Sequence, residues 1–470
     1  MSEAVDIQKV VAGEYCSGCG ACAAGGSGIK MRMTDDGRYE ARLDNVPEAV
    51  LKEASERCPF AAKKNEDDLA TDLFAKHAQK DDKIGYYISC YAGNVLEGDY
   101  RTRGSSGGFG SWIIDQLFEK DKIDAVIHVK ETKESNSPHP MFSFAISEKE
   151  NAHEGAKSRY YPIEMSQVLD MVLKEDRRYA LVGIPCFIKA ARLMQKQYPE
   201  MEKRIVFTLG LVCGHLKTSQ FAEYYARIAH SDPKTLKDIN FRHKLAGQPA
   251  SRYGVKLQTG DNGDKILENR FISGSNWGYG LFKYNACDYC DDVVSETADL
   301  TIGDAWIPPY LGDWEGTNVL VVRNPIVEGI LKEGKDRGAI ELDPLTPQDV
   351  AKSQEPGFRH RREGLAFRLH LKEIQNLWHP RKRVNAVTPD QVSERTVAVQ
   401  KIRLQLAQKS REYFKTVRGP FSFMLFKLKM LILMAQHEKT RGMARVVFLL
   451  IPVPVKRVIF WMNARLKKNK

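Results

Sequence analysis

The sequence predicts an α/β core preceded by a ferredoxin-like segment that carries cysteines and followed by a mainly helical, basic C-terminal region. Three observations carry that prediction. Short β-rich runs alternate with helical ones from about residue 82 to 350; three cysteines crowd into seven residues near the N-terminus; and residues 401–470 hold 17 Lys or Arg against two acidic residues. Alternation of strand and helix signals argues for an α/β sheet. The expected division is 1–75, 76–350 and 351–470, and 470 residues suffice for two or three cored domains.

In the first segment, Cys16-Ser-Gly-Cys19-Gly-Ala-Cys22 and the remote Cys58-Pro59 match the thiolate spacing of a 4Fe-4S cluster. A C-x2-C-x2-C loop wraps three corners of an iron–sulfur cube, and Gly18 and Gly20 let the backbone curl with positive φ and turn N–H groups towards the sulfurs. The competing reading is structural zinc, whose motifs usually pair cysteines two and two across a long loop.

In the second segment the expected strands are Asp124–Val129, Phe144–Ile146, Tyr179–Ile184, Ile205–Val212, Leu300–Ile302 and Asn318–Val322, with helices at Gly108–Lys120, Met165–Lys174 and Ser219–Ala229. Cys186 and Cys213 each follow a strand, and loops past the strands of an open α/β sheet collect at one edge, where ligands bind. With Cys287-Asp-Tyr-Cys290 they would complete a second thiolate quartet, and Cys90 remains as a core thiol. A zinc knuckle, a disulfide or plain buried thiols are the alternatives for this second set. The N-terminus shows no secretory signal, which argues against disulfides and for a cytoplasmic protein.

Arg103-Gly-Ser105-Ser106-Gly107-Gly108 directly precedes an apolar-periodic helix, and small residues there would offer backbone N–H groups to a nucleotide pyrophosphate, or form an ordinary helix cap. Ser158-Arg159-Tyr160, Arg242, Lys244 and Asp304 lie near the proposed ligand loops and are further candidates for anion and ring contacts.

The third segment holds the basicity. Residues 401–470 carry a net charge of +15, whereas the first 400 hold 54 basic and 58 acidic groups. Its apolar runs, Phe421–Phe426, Met430–Met434 and Val446–Val455, fall short of the ~20 residues of a spanning helix. An anionic membrane surface on the inner face of the membrane, or an acidic protein partner, suits such a segment. Nucleic acid is not expected, because no recognised nucleic-acid motif accompanies the charge.

Together, Cys16–Cys22, Ser105–Gly108, Ser158–Tyr160, Gly183-Ile-Pro-Cys186, Cys213-Gly-His215, Phe241-Arg-His-Lys244, Cys287–Cys290 and Asp299–Trp306 resemble, in order, the family of coenzyme F-420 hydrogenase/dehydrogenase beta subunits, including its bacterial branches. The resemblance implies an iron–sulfur flavoprotein oxidoreductase with FAD and two 4Fe-4S clusters. It would move electrons between a ferredoxin or other electron-transfer protein and an organic two-electron substrate, which in the named enzymes is a deazaflavin. This chain reads Pro185-Cys-Phe187 where many members read Pro-Cys-Gln, Ser158-Arg-Tyr160 where they read Ser-Lys-Tyr, and Cys213-Gly-His215 where they read Cys-His-Gly. Those changes leave deazaflavin use open. His215 is the candidate general acid by residue type. The alternative is a non-catalytic electron-relay or scaffold subunit of a membrane-associated polysaccharide-synthesis assembly.

Overall fold

The computed structural model describes residues 5–132, 141–260 and 263–468, with side chains through Met462. Its centre is an eight-stranded mixed sheet. Across the sheet the strands run Ile340–Pro344, Ser89–Val95, Asn318–Val322, Leu300–Asp304, Ile205–Leu211, Tyr179–Gly183, Ala125–Glu131 and Phe142–Ser147. The four strands from Leu300–Asp304 to Ala125–Glu131 pair in parallel, and the outer ones pair antiparallel.

Both faces of the sheet are covered, as a parallel centre demands. Side chains alternate along each strand. Val126 and Ala180 therefore face a core with Phe109, Trp112, Ile113, Val327 and Leu331. Their neighbours Ala125, Ile127, Tyr179 and Leu181 face another core, with Leu169, Phe187, Ile188 and Met194. The helices behind those residues are Phe109–Glu119, Pro325–Asp336, Ser166–Lys174 and Pro185–Gln197. The expected α/β core thus forms, and the three helices expected from the sequence begin and end within one residue of Phe109–Glu119, Ser166–Lys174 and Gln220–Ile228. A separate antiparallel sheet of Leu236–His243, Gly254–Thr259 and Gly263–Glu268 stands beside the main one.

The N-terminal segment folds as helix Asp6–Ala12, a turn at Ala21–Ala23, hairpin Lys30–Met33/Tyr39–Arg42 and helix Glu48–Arg57. It docks on the main sheet rather than standing apart: the Met165 amide donates to the Cys19 carbonyl at 3.0 Å. The fully buried Arg57 donates to the Cys22 carbonyl at 3.3 Å and to the Tyr198 hydroxyl at 2.8 Å.

The C-terminal region is helical, as expected, but it divides in two. Helices Glu394–Phe414 and Pro420–Lys439 send Leu406, Phe414, Phe426 and Met430 into a core with Phe221, Tyr224 and Phe282. Arg411, at the end of the first of these helices, pairs with Asp36 at 2.6 Å and Glu14 at 3.0 Å, back in the N-terminal segment. Helices Met443–Leu450 and Val453–Lys468 follow, and the first of them buries no residue. No helix among the described residues is long and apolar enough to cross a membrane.

Candidate functional site

The loops past the parallel strands meet at one edge of the sheet, and a cavity of about 750 Å³ opens there. Its wall includes Val182 and Gly183, Leu211 to Cys213, Ile302 to Asp304 and, from the adjacent antiparallel strand, Asn318. This is where ligands bind in open α/β sheets, and the volume lies in the range of small-molecule and cofactor sites.

The small-residue loop forms one wall of the cavity. Gly108 caps helix Phe109–Glu119 in the left-handed region at φ 95°, where a Cβ would also stand 2.8 Å from the Arg101 amide nitrogen. The loop is held from both sides. Ser105 Oγ accepts the Ser158 N–H at 2.9 Å, Ser106 Oγ donates to the Thr317 carbonyl at 3.1 Å, and Asn318 Oδ1 accepts the Phe109 N–H at 3.3 Å. Ser105, Ser106, Gly108, Ser158, Arg159, Tyr160, His215, Arg242 and Asp304 all line the cavity. Three of the candidates do not. Gly107 lies behind the wall, where a Cβ would meet the Gly93 carbonyl at 2.7 Å. Lys244 ties the carbonyls of Arg101 and Ser106 together. Arg103 pairs with Asp99 at 2.8 Å on the protein surface.

Several cations at the cavity are already matched. Arg242 forms a two-pronged pair with Asp304 at 2.9 and 3.1 Å, sandwiched by Tyr253 and Trp306. Arg159 pairs with Glu131 at 3.0 Å and lies over the Phe142 ring. Lys157 is different: it lines the cavity in a positive-φ conformation at 90°, and burial together with Arg159 lowers its pKa.

His215 stacks on Trp277 with ring centres 4.2 Å apart, and Tyr160 closes on the same indole at 4.8 Å. Its Nε2 is buried without a hydrogen-bond partner. Burial first, then the Lys217 and Lys283 ammonium groups, hold the His215 pKa well below its usual value, so the ring is neutral at pH 7. The Gly-His order of this chain has a steric basis. A Cβ on Gly214 would stand 2.0 Å from Trp277 Nε1, so the indole requires glycine directly after Cys213. Phe187 stacks on Phe144 at 5.7 Å and supplies an apolar wall beside Cys186.

All nine cysteines are free thiols. Cys22 lies within electrostatic reach of Cys16, Cys19 and Cys58, and Cys186 of Cys290, Cys213, Cys287 and also Cys19. Burial raises the pKa of all eight, Cys58 to about 11 and Cys287 to about 12. Among the described residues no three His, Cys, Asp or Glu side chains are placed to hold a metal ion. Donors already point at the sulfurs: Gly18 N–H to Cys16 Sγ at 3.4 Å, Leu216 N–H to Cys287 Sγ at 3.1 Å, and Arg361 Nη1 to Cys290 Sγ at 2.7 Å. Gly18 and Gly20 do take positive φ, 71° and 84°. The two groups are neighbours, for Cys16, Cys22, Cys58, Cys186 and Cys290 share one buried cluster. Cys90 sits in a separate core, its pKa raised by burial to about 12.

Arg361 was not singled out from the sequence. It also donates to the carbonyls of Cys213 at 2.9 Å and Gly214 at 2.8 Å, so one guanidinium joins two of the three segments that supply the second group. Around it lie buried ion pairs: Lys283 with Asp288 at 2.5 Å, Lys382 with Asp291 at 3.6 Å, and Arg383 with Glu296 at 2.7 Å.

Two family models match the chain. The N-terminal model of the coenzyme F-420 hydrogenase/dehydrogenase beta subunit matches residues 90–170, and the C-terminal model matches residues 176–348. A component of the F(420)H(2) dehydrogenase of Methanosarcina mazei is 25% identical over 252 residues, 51% of this chain and 61% of that protein. The chain thus aligns with less than two-thirds of that relative. An uncharacterized protein of Methanocaldococcus jannaschii is 22% identical over 363 residues, 70% of this chain and 89% of that one. A chain of the F-420-reducing nickel–iron hydrogenase complex from Methanosarcina barkeri, solved with xenon, aligns with a TM-score of 0.48 at 15% identity, covering 66% of this chain and 99% of its own. None of these matches supports the bacterial branch expected from the sequence.

Proposed function

The chain belongs to the family of coenzyme F-420 hydrogenase/dehydrogenase beta subunits, and from that premise we propose that it is an iron–sulfur flavoprotein oxidoreductase. It would move electrons between a ferredoxin-like protein and an organic two-electron substrate, with a deazaflavin as the first substrate to try. The observation that supports the reading is that Cys22 lies within electrostatic reach of Cys16, Cys19 and Cys58, and Cys186 of Cys213, Cys287 and Cys290, with Cys213 in the wall of the large cavity.

The residues fit the groups proposed for them. Cys16, Cys19, Cys22 and Cys58 would hold one 4Fe-4S cluster, and Cys186, Cys213, Cys287 and Cys290 the other. The cavity would hold FAD, with its phosphates at the backbone N–H groups that open helix Phe109–Glu119 and beside Lys157. Bound there, the clusters supply one-electron transfer and the flavin converts between one- and two-electron chemistry.

The chain's own groups set the conditions for that chemistry. Arg361 and the Leu216 N–H donate to the sulfurs of the second group and favour their anionic form. Phe144 and Phe187 keep water from that wall of the cavity. Asp304 fixes Arg242, which leaves Lys157 and Lys352 as lysines of the cavity wall to meet an incoming anion. His215, neutral and with Nε2 unpartnered, would hydrogen-bond a substrate atom, and its lowered pKa makes it a poor general acid. A protein that only relayed electrons would need no cavity of this size.

Anaerobically purified protein should carry about eight irons per chain and one FAD, bleached by dithionite and reoxidised by a two-electron acceptor. Iron without flavin would favour the electron-relay role, and colourless, iron-free protein would defeat both readings.

A further inference from the structure

Helix Pro420–Lys439 is apolar on two opposite faces. Phe423, Phe426, Met430 and Met434 enter the core, while Phe421, Met424, Leu425, Leu428 and Ile432 follow the 3.6-residue period on the other side and stay exposed, Phe421 to 69%. The next helix exposes Met443, Val447 and Leu450, and the last exposes Val453, Val458, Trp461 and Met462. Fourteen of the 23 exposed large apolar side chains among the described residues lie between Phe421 and Met462, so the patch is concentrated and not a scatter. Patches of this kind mark an interaction surface.

Charge identifies the partner. Between residues 421 and 462 there are seven Lys or Arg and one acidic residue, Glu438, which is buried with 4% exposure and faces His437 and Arg441. The exposed stretch therefore offers only positive charge beside its apolar side chains. None of these residues lines the large cavity, and no helix here is long and apolar enough to span a bilayer. Protein interfaces deplete charge at their apolar centres. Lys427, Lys429, Arg445 and Arg457 are instead interleaved with the apolar residues, as in helices that lie in the headgroup layer. We propose that the last three helices form a docking surface for an anionic phospholipid membrane, with the exposed faces lying in the interface plane and the basic residues among the headgroups. This surface does not depend on the redox reading.

The test is co-sedimentation of the full chain with vesicles of phosphatidylcholine alone or mixed with phosphatidylglycerol. The expected result is binding to the anionic vesicles at least about tenfold tighter than to neutral ones, weakening as salt rises. Leu428→Glu with Ile432→Glu, and separately Val447→Glu, should each abolish binding. Replacing Lys427, Lys429 and Arg445 by Gln should weaken it about tenfold or more. These side chains are exposed, so circular dichroism should match the wild type. Equal affinity for both vesicle types, unchanged binding by the variants, or a solution dimer that the Glu variants dissociate would overturn the proposal.

Discussion

The two cysteine groups are built in opposite ways. The first takes three thiols from one seven-residue loop, shaped by Gly18 and Gly20 at positive φ, and its sulfur donor is a backbone amide. The second draws on the start of helix Pro185–Gln197, the end of strand Ile205–Leu211 and the turn Asn285–Tyr289, and a guanidinium from helix Glu355–Arg361 reaches its sulfur. A local group needs only a backbone that curls. A group assembled from distant segments needs side chains to hold those segments together, and Arg361 does so for the segments of Cys213 and Cys290.

Serine substitution breaks the comparison most severely. Cys19→Ser should remove about half of the iron and leave the fold in place, whereas Cys287→Ser should remove the other half and also lower the melting temperature; iron analysis and calorimetry read the two effects. Equal melting temperatures would mean that the second group does not tie its segments together. Arg361→Met sharpens the contrast. Loss of a charge-assisted bond worth about 1.5–3 kcal/mol should make the reduction potential of the second group more negative by about 60–130 mV, with the first unchanged and Arg361→Lys partly restoring it. Redox titration followed by electron paramagnetic resonance separates the two signals.

Gly214→Ala should displace Trp277 and the stacked His215, costing about 1–3 kcal/mol in urea unfolding while the first group keeps its spectrum. The smallest effect belongs to Lys244, away from both groups. Burial holds its pKa down to about 8, so its charge is complete below pH 8 and lost above it. Stability in urea should therefore rise as pH climbs above 8, and Lys244→Met should flatten that slope. The buried charge costs stability below pH 8, a cost that fades as pH climbs towards the unfolded value of ~10.4.

Much of this architecture was legible in the sequence because its signals are local. Tyr179–Gly183 and Ile205–Leu211 announce themselves as apolar runs, and Ser105–Gly108 as small residues before an amphipathic helix. Strand Ser89–Val95, with Gly93 and Asn94 in it, and edge strand Ile340–Pro344, with two acidic residues, lack such runs and owe their conformation to their neighbours. Arg242 looked like a free cation beside a loop. It lies instead in strand Leu236–His243, and the arrangement of sheets hands it to Asp304, 62 residues on. Arg361 was invisible for the same reason: in Phe358-Arg-His-Arg-Arg-Glu363 nothing local distinguishes the one guanidinium that reaches a thiol. The tail illustrates the converse. Composition marked residues 401–470 as one basic unit, but only packing separates the helices that complete the core from those that leave it.

The contact between Arg361 and Cys290 spans 71 residues, and that separation imposes a timetable on biosynthesis. A nascent chain leaving the ribosome has all four thiols of its first group by residue 58, long before Arg361, Lys382 and Arg383 are translated. Because domains fold from the N-terminus as they emerge, the thiols of the first group are the first to become available. The second attains its finished surroundings only once those later residues have emerged, and the core around Cys22 and Cys58 likewise closes only when Leu365 and Leu369 pack onto it.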